Sequence, residues 1–420
     1  MNIKDFIQKD FLKNILTLMS GTVVAQIINL AAIPILSRLF TPNDFGVFAV
    51  YFALSSILAS ISCGRYELAI MLPKKDINAY QIVIISFFFL VIITVLSFII
   101  IFLFFHSISD ILKVKDYKYL IFLVPVLTFL IGSHKILNNW FSRFKSFKPI
   151  SVSKIIKSGT SVSVKSIFGV FSFHAFGLFI GEISGQIFSV LFLLKKNKKI
   201  ISENSFYKDT AVLKQELKEN KNFPFFSMPM AFLNSVSVQI LIYFLTFLFN
   251  TTIVGFYIQA NKVLNYPLSL ISNSFTSVFY QKLTTTNKQI KLYVYSYLTS
   301  VIIAAVISFP IYFWGEELFG FVLGNNWRFS GFLAKFLIPI VIFGFATRNT
   351  SVVFSFLKLQ QITLIWQVLY LISAFGIFFY FKTGTLDVLI KWFSLTGGFL
   401  YLLLGFIGYF LLIRQKKKHK

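Results

Sequence analysis

The chain has 420 residues, of which 56% are hydrophobic, 19% aromatic and only 13% charged, with a mean hydropathy of +0.77. Soluble domains carry about 25% charged residues, so the composition excludes a soluble globular protein and points to an all-α polytopic membrane protein. The formal net charge is +25, but the Lys and Arg residues are scattered between apolar runs rather than gathered in one patch, which argues against a nucleic-acid partner.

In chain order, Lys4, Lys9 and Lys13 precede an apolar run containing Gln26, Asn29 and Pro34. That run is too long for a signal-peptide core and reads as an uncleaved first span. Apolar runs near the ~20 residues needed to cross a bilayer recur to the end of the chain. Twelve helices follow: 15–36, 45–63, 81–105, 119–138, 150–171 and 175–194, then 223–249, 253–279, 292–314, 332–352, 363–381 and 386–413. The fifth is the most polar. With the N-terminus inside, the inside segments hold 26 of the 40 Lys and Arg and the outside loops hold 6. That bias predicts a multi-pass membrane protein with both termini cytoplasmic. Cys63 is the only cysteine, so no intramolecular disulfide or thiolate metal site exists.

The segment 195–222 opens K-K-N-K-K and contains V-L-K-Q-E-L-K-E, a predicted short surface helix. It falls at the midpoint. The expected organisation is an N-terminal six-helix lobe (1–194), a basic cytoplasmic linker (195–222) and a C-terminal six-helix lobe (223–420). Internal likeness supports it. Arg38-Leu39-Phe40 leads through a polar hinge to Phe45-Gly46-Val47-Phe48, and Phe247-Leu248-Phe249 leads likewise to Val254-Gly255-Phe256-Tyr257. Val124-Pro125-Val126 and Ile338-Pro339-Ile340 match in the fourth and tenth helices. Six spans per lobe leave both lobes facing the same way, a parallel internal repeat of the kind that binds cargo between its halves.

Ionisable groups inside a membrane are costly and mark candidate sites. In the fifth helix Lys154, Lys157 and Lys165, with Ser158 and Ser161, fall on one face at about 100° per residue. The alternative for Lys154 and Lys157 is that they extend their ammonium groups to the interface. Lys262, Asn265, Ser269 and Asn273 repeat the same spacing in the eighth helix. Lys135, Lys335, Arg348 and, at the end of the second helix, Arg65 add positive charge. For a single Asn or Ser, a helix-to-helix hydrogen bond is the plainer role. Acids are few: Glu182 in the sixth helix and Glu67 at the end of the second are candidates for ion coupling, to H+ or Na+. A lysine-rich lining suits an anionic cargo, phosphate or pyrophosphate. Gly177, Gly181 and Gly185 form a small-residue stripe for close helix packing. No nucleotide loop, hydrolase elbow or metal-ligand spacing occurs, so no catalytic residues, metal or organic cofactor are expected and the protein reads as a non-enzyme.

S-R-L-F-T-P-N-D-F-G-V-F at 37–48 and G-R-Y-E-L-A-I-M-L-P at 64–73 resemble the bacterial polysaccharide-unit flippases of the Wzx type. So do N-F-P-F-F-S-M-P-M-A-F-L-N-S-V-S at 222–237, V-G-F-Y-I-Q-A-N-K-V-L-N-Y-P-L-S at 254–269 and E-L-F-G-F-V-L-G-N-N-W at 317–327. The resemblance implies membership of the multidrug/oligosaccharidyl-lipid/polysaccharide exporter superfamily, with about twelve membrane helices in two MATE-like lobes. It implies a cargo, a sugar repeat unit on a polyprenyl pyrophosphate, turned from the cytoplasmic to the periplasmic leaflet for O-antigen, capsule or exopolysaccharide synthesis. Membrane lipids, a polysaccharide polymerase and a chain-length regulator are the implied partners. The rival readings are a multidrug or cation antiporter of the same superfamily, disfavoured by the basic interior, and a polysaccharide polymerase or ligase, disfavoured by the short outside loops.

Overall fold

A computed structural model describes the backbone of residues 3–204, 207–286 and 288–418, and the side chains among them except those of 3–19, 115, 199–204, 273, 274, 277, 360 and 416–418. The described residues form helices and no strand. All twelve expected helices are present: α1 (Ile3–Leu39), α2 (Pro42–Ile61), α3 (Asp76–Leu103), α4 (Leu123–Arg143), α5 (Phe147–Val170), α6 (His174–Asn204), α7 (Met228–Leu248), α8 (Thr251–Thr285), α9 (Gln289–Leu323), α10 (Arg328–Thr350), α11 (Gln360–Tyr380) and α12 (Leu386–Lys418). Among the described residues, ten are long and apolar enough to cross a membrane. The other two, α5 and α8, are those whose lysines, asparagines and serines were read as candidate lining.

The hinge at 37–48 folds as its residues dictate. Thr41 caps α2: its hydroxyl accepts from Asp44 N, while the Asp44 carboxylate accepts from Thr41 N at 2.9 Å. Pro42 occupies the first helical position, where a missing N–H costs nothing. This reciprocal cap is worth about 1 kcal/mol. The corresponding hinge ends α7 at Leu248 and starts α8 at Thr251. After α2, Gly64 and Arg65 both adopt left-handed backbone (φ 60° and 61°) to turn the chain, which favours glycine at the first of them.

By contact the chain divides into two compact units, Met1–Thr252 and Ile253–Lys420. The division falls after α7 rather than at 195–222, because α7 packs on α2 within the first unit. Two further features differ from the expected linker. Helix α6 runs on through the K-K-N-K-K stretch to Asn204, since lysine is a good helix former once clear of the membrane. The predicted short helix exists at Thr210–Glu219, capped by Asp209, but it is docked, not free. Gln81 of α3, fully buried, donates to Tyr207 O (2.8 Å) and accepts from Asp209 N (3.2 Å). Asn78 donates to Glu216 at 2.8 Å, and Leu213 and Leu217 pack on the cluster around Tyr66, Ile70 and Trp140.

Each unit uses one packing scheme. In the first, α3 packs on α4, α4 on α6 and α5 on α6; in the second, α9 packs on α10, α10 on α12 and α11 on α12. The pairs correspond under a shift of six helices, as the internal repeat requires. Pro125 stands in the first turn of α4, preceded by a 3-10 helix at Lys115–Phe122, while Pro339 lies inside α10. Beside it, Ile340 N donates to Ser394 Oγ of α12 at 3.2 Å. Asn349, fully buried, ties the second unit together by accepting from Ser272 of α8 and donating to Ser300 of α9.

Candidate functional site

In the first unit the polar face of α5 is divided between two neighbours. Toward α1, Lys154 Nζ donates to Thr22 Oγ1 at 2.9 Å and Ser158 accepts from Asn29 at 3.2 Å. Toward α6, Lys165 Nζ stands 2.7 Å from Glu182 Oε2 and Lys157 Nζ 3.4 Å from Glu182 Oε1, with Ser161 donating to Oε2 at 3.4 Å. Lys165 and Glu182 are only 12% and 11% exposed, against 31% for Lys157. The Lys165 ammonium also lies over the Phe48 ring of α2, 5.2 Å from its centroid. Helices α5 and α6 therefore hold one largely buried ion triad, with the Phe48 ring of α2 packed on it.

The glycine stripe of α6 makes this approach possible. A Cβ at Gly181 would run into the Lys165 side chain, and one at Gly185 would lie 2.6 Å from Lys157 O. Hairpin geometry sets the partners. Lys165 stands six residues before the 171–173 turn and Glu182 nine after it, an offset of about 4.5 Å in an antiparallel pair that a long lysine side chain spans. That proximity was available in the sequence. The contacts of Thr22 and Phe48 were not, because they depend on how α1 and α2 pack.

A second charged cluster sits at the end of α2. Arg65 lies 3.4 Å from Glu67, whose side chain is 3% exposed, and Lys135 of α4 donates to Ala59 O at 2.7 Å. One carboxylate oxygen of Glu67 and Nε of Arg65 are buried with no hydrogen-bond partner among the described residues. Burial pushes the Glu67 carboxyl above the usual carboxylate range, while Arg65 and Lys135 pull it back. Nearby, Arg143 fixes the adjoining loop with bonds to Asp76, Ile70 O and Pro73 O. His134, which has no metal-ligand spacing, bonds Ser153 at 3.4 Å and Asn138 at 3.1 Å.

In the second unit Lys262 and Asn265 are half-buried on α8, and Asn265 donates to Asn261 Oδ1 of the same helix at 2.8 Å. Ser269 bonds its own helix, and the Asn273 side chain lies outside the described residues. Lys335 covers the rings of Phe332 and Phe336 on α10. Arg348 is exposed in the last turn of α10. The structure thus joins Lys157, Lys165 and Glu182, and separately Arg65 and Glu67. It leaves Lys154 on a hydroxyl of α1.

The family model for a polysaccharide biosynthesis protein matches residues 35–330, well over half of the chain. The chain belongs to this family. Among curated proteins, none matches the sequence. Solved structures supply the fold. The chain resembles an inward-facing multidrug resistance MATE family transporter of the MOP superfamily at 16% identity and TM-score 0.67, covering 93% of this chain and 94% of that one. The lipid II flippase MurJ in an inward closed conformation aligns at 13% identity and TM-score 0.71, over 93% and 86% of the two chains. A MOP superfamily transporter from Pyrococcus furiosus Vc1 (DSM3638), described as having a binding pocket of reversed polarity, aligns at 17% identity and TM-score 0.61, over 98% and 96%. This family member is a MATE-like, multi-pass membrane protein, and its structural neighbours are transporters and flippases rather than enzymes.

Proposed function

We propose that this family member turns oligosaccharide repeat units, carried on a polyprenyl pyrophosphate, from the cytoplasmic to the periplasmic leaflet of a bacterial inner membrane by alternating access. The product feeds O-antigen, capsule or exopolysaccharide assembly, with a polymerase and a chain-length regulator acting downstream. The observation that carries this reading is the sign of the charge on α5. Lys157 and Lys165 share one carboxylate, Glu182, and Lys154 meets only the Thr22 hydroxyl, so the polar face keeps two positive charges in excess. Such a surface is complementary to a diphosphate and hostile to a cationic drug.

The prenyl tail can stay in lipid, so only the charged head and its sugars need a polar path. An uncompensated charge in hydrocarbon costs several kcal/mol or more. The lysines offset that cost. Glu182 already holds Lys157 and Lys165, so an arriving pyrophosphate competes with it for the same ammonium groups. A carboxylate stripped of its lysines is then able to take H+ or Na+, which links cargo binding to ion binding at one residue. Lys262 and Asn265, with Lys135, Arg65 and Arg348, supply further cationic and polar contacts, and Glu67 is the second candidate for coupling.

The test is export in cells whose own transporter has been deleted. Lys165→Ala and Lys262→Ala are each expected to slow export, and the pair to abolish it while lipid-linked units accumulate. Arg replacements should be milder. Normal export by both single variants and by the pair sinks the reading. A drug or cation antiporter is the second reading, favoured by the fold it shares with multidrug transporters; it requires proton-driven efflux of a cationic dye from vesicles.

A further inference from the structure

The second unit contains a cavity of about 400 Å³ between α8 and α9. Ile271, Phe275, Val278 and Lys282 line it from α8, and Leu292 and Tyr295 from α9. The α8 residues are spaced i, i+4, i+7 and i+11, a single helix face about 16 Å long. That is about half of a ~30 Å hydrocarbon core, the depth of one leaflet. The slot opens sideways, since Val278 is 51% and Tyr295 72% exposed.

Its two ends differ in kind. Most of its lining is aliphatic or aromatic, with Ser296 of α9 beside it; at one end stands Lys282, in the last turn of α8. No Asp or Glu occurs between Glu219 and Glu316. Lys282 forms no ion pair among the described residues. A lysine without a counter-charge, at the end of an apolar slot one leaflet deep, is complementary to an amphiphile with an anionic head. About 400 Å³ spread along about 16 Å leaves a mean cross-section of about 25 Å², room for one hydrocarbon chain rather than two, which sets a polyprenyl phosphate apart from a two-chain phospholipid.

The geometry points to a binding site for the carrier lipid: its prenyl chain lies along α8 in this slot and its phosphate pairs with Lys282. This rests on the proposed cargo, and it gives the chain a fixed guide on the protein while the sugars cross. The site is separate from the lysines of α5.

The experiment uses the full-length protein in detergent micelles doped with equal amounts of undecaprenyl phosphate and phosphatidylglycerol, read by native mass spectrometry. Undecaprenyl phosphate should be retained with about tenfold preference or more. Lys282→Glu should lower its occupancy about tenfold while Lys282→Arg keeps it. Val278→Trp, which fills the slot, should remove it. Each variant is first shown to elute and unfold as the parent does. Equal retention of phosphatidylglycerol, or undiminished binding by both Lys282→Glu and Val278→Trp, overturns the site. Undecaprenyl phosphate carries no sugar, so the two readings fail separately. Binding without any rescue of export removes the flippase reading and leaves the site standing, whereas export without lipid preference removes the site alone.

Discussion

Glu67 and Glu182 are both buried carboxylates, yet their surroundings set them different tasks. Glu67 has one cation at 3.4 Å and one oxygen without a partner among the described residues, and burial outweighs Arg65 in raising its pKa. A carboxyl whose folded pKa exceeds its unfolded value holds its proton more tightly when folded. Its stabilising share is therefore complete below the ordinary carboxylate range and is lost as pH rises through the folded pKa. Glu67→Gln should remove that loss, flattening the fall in unfolding temperature as pH rises above the ordinary carboxylate range in detergent; an unchanged slope would show that Glu67 does not titrate there. Glu182 is instead clasped by two ammonium groups. Removing one member of a buried pair costs about 3–5 kcal/mol, and because Lys157 stays within reach, Lys165→Ala should fall at or below the low end. Replacing both members, Lys165→Met with Glu182→Gln, should recover part of that loss in denaturant unfolding. A double variant no more stable than Lys165→Ala alone would mean the two side chains are not coupled.

At the scale of elements, the α5–α6 seam depends on what α6 lacks. Gly185 has Lys157 O where a methyl group would go, whereas Gly159 on α5 has nothing within 4 Å. Gly185→Ala should therefore push the helices apart and lower the unfolding temperature. Gly159→Ala should hold or raise it, gaining up to about 1 kcal/mol of helix propensity; the opposite order would refute the seam. The docked helix Thr210–Glu219 offers another test. Without Gln81 and Asn78 its anchors to α3 are gone, so Gln81→Ala with Asn78→Ala should speed amide exchange across 210–219 and leave α3 protected. These elements also show what the sequence could reveal. Long apolar runs located the twelve helices, because that signal is local, but not their ends: α2 begins at Pro42, inside the polar hinge and ahead of the expected 45, and α6 and α9 run on past 194 and 314. The helix at 210–219 was legible, but its docking was not: Gln81 meets Tyr207 and Asp209 across 126 and 128 residues of chain. The lysines of α5 were legible as charge on one helix face, but their partition between Thr22 and Glu182 follows from the packing of α1 and α6, which no periodicity encodes.

For the whole molecule, orientation in the membrane follows from charge and crossing number together. Asn250 lies between α7 and α8 and Asn326 between α9 and α10, separated by two helices, so both must face the same compartment. Lys208 is separated from Asn250 by α7 alone and must face the other. The positive-inside bias assigns Lys208, among the lysines of 195–222, to the cytoplasm. All three positions are exposed, and the native cysteine gives little background: Cys63 is buried and its thiol is pushed up to about 12, chiefly by burial, so the reactive thiolate is scarce at neutral pH. In a Cys63→Ala background, cysteines at Asn250 and Asn326 should react with a membrane-impermeant maleimide on intact spheroplasts, and one at Lys208 only after permeabilisation. External labelling at Lys208 would invert the map and place the docked helix and its lysines outside. Labelling of Asn250 and Asn326 from opposite sides would break the even crossing number itself, and with it the parallel repeat on which alternating access depends.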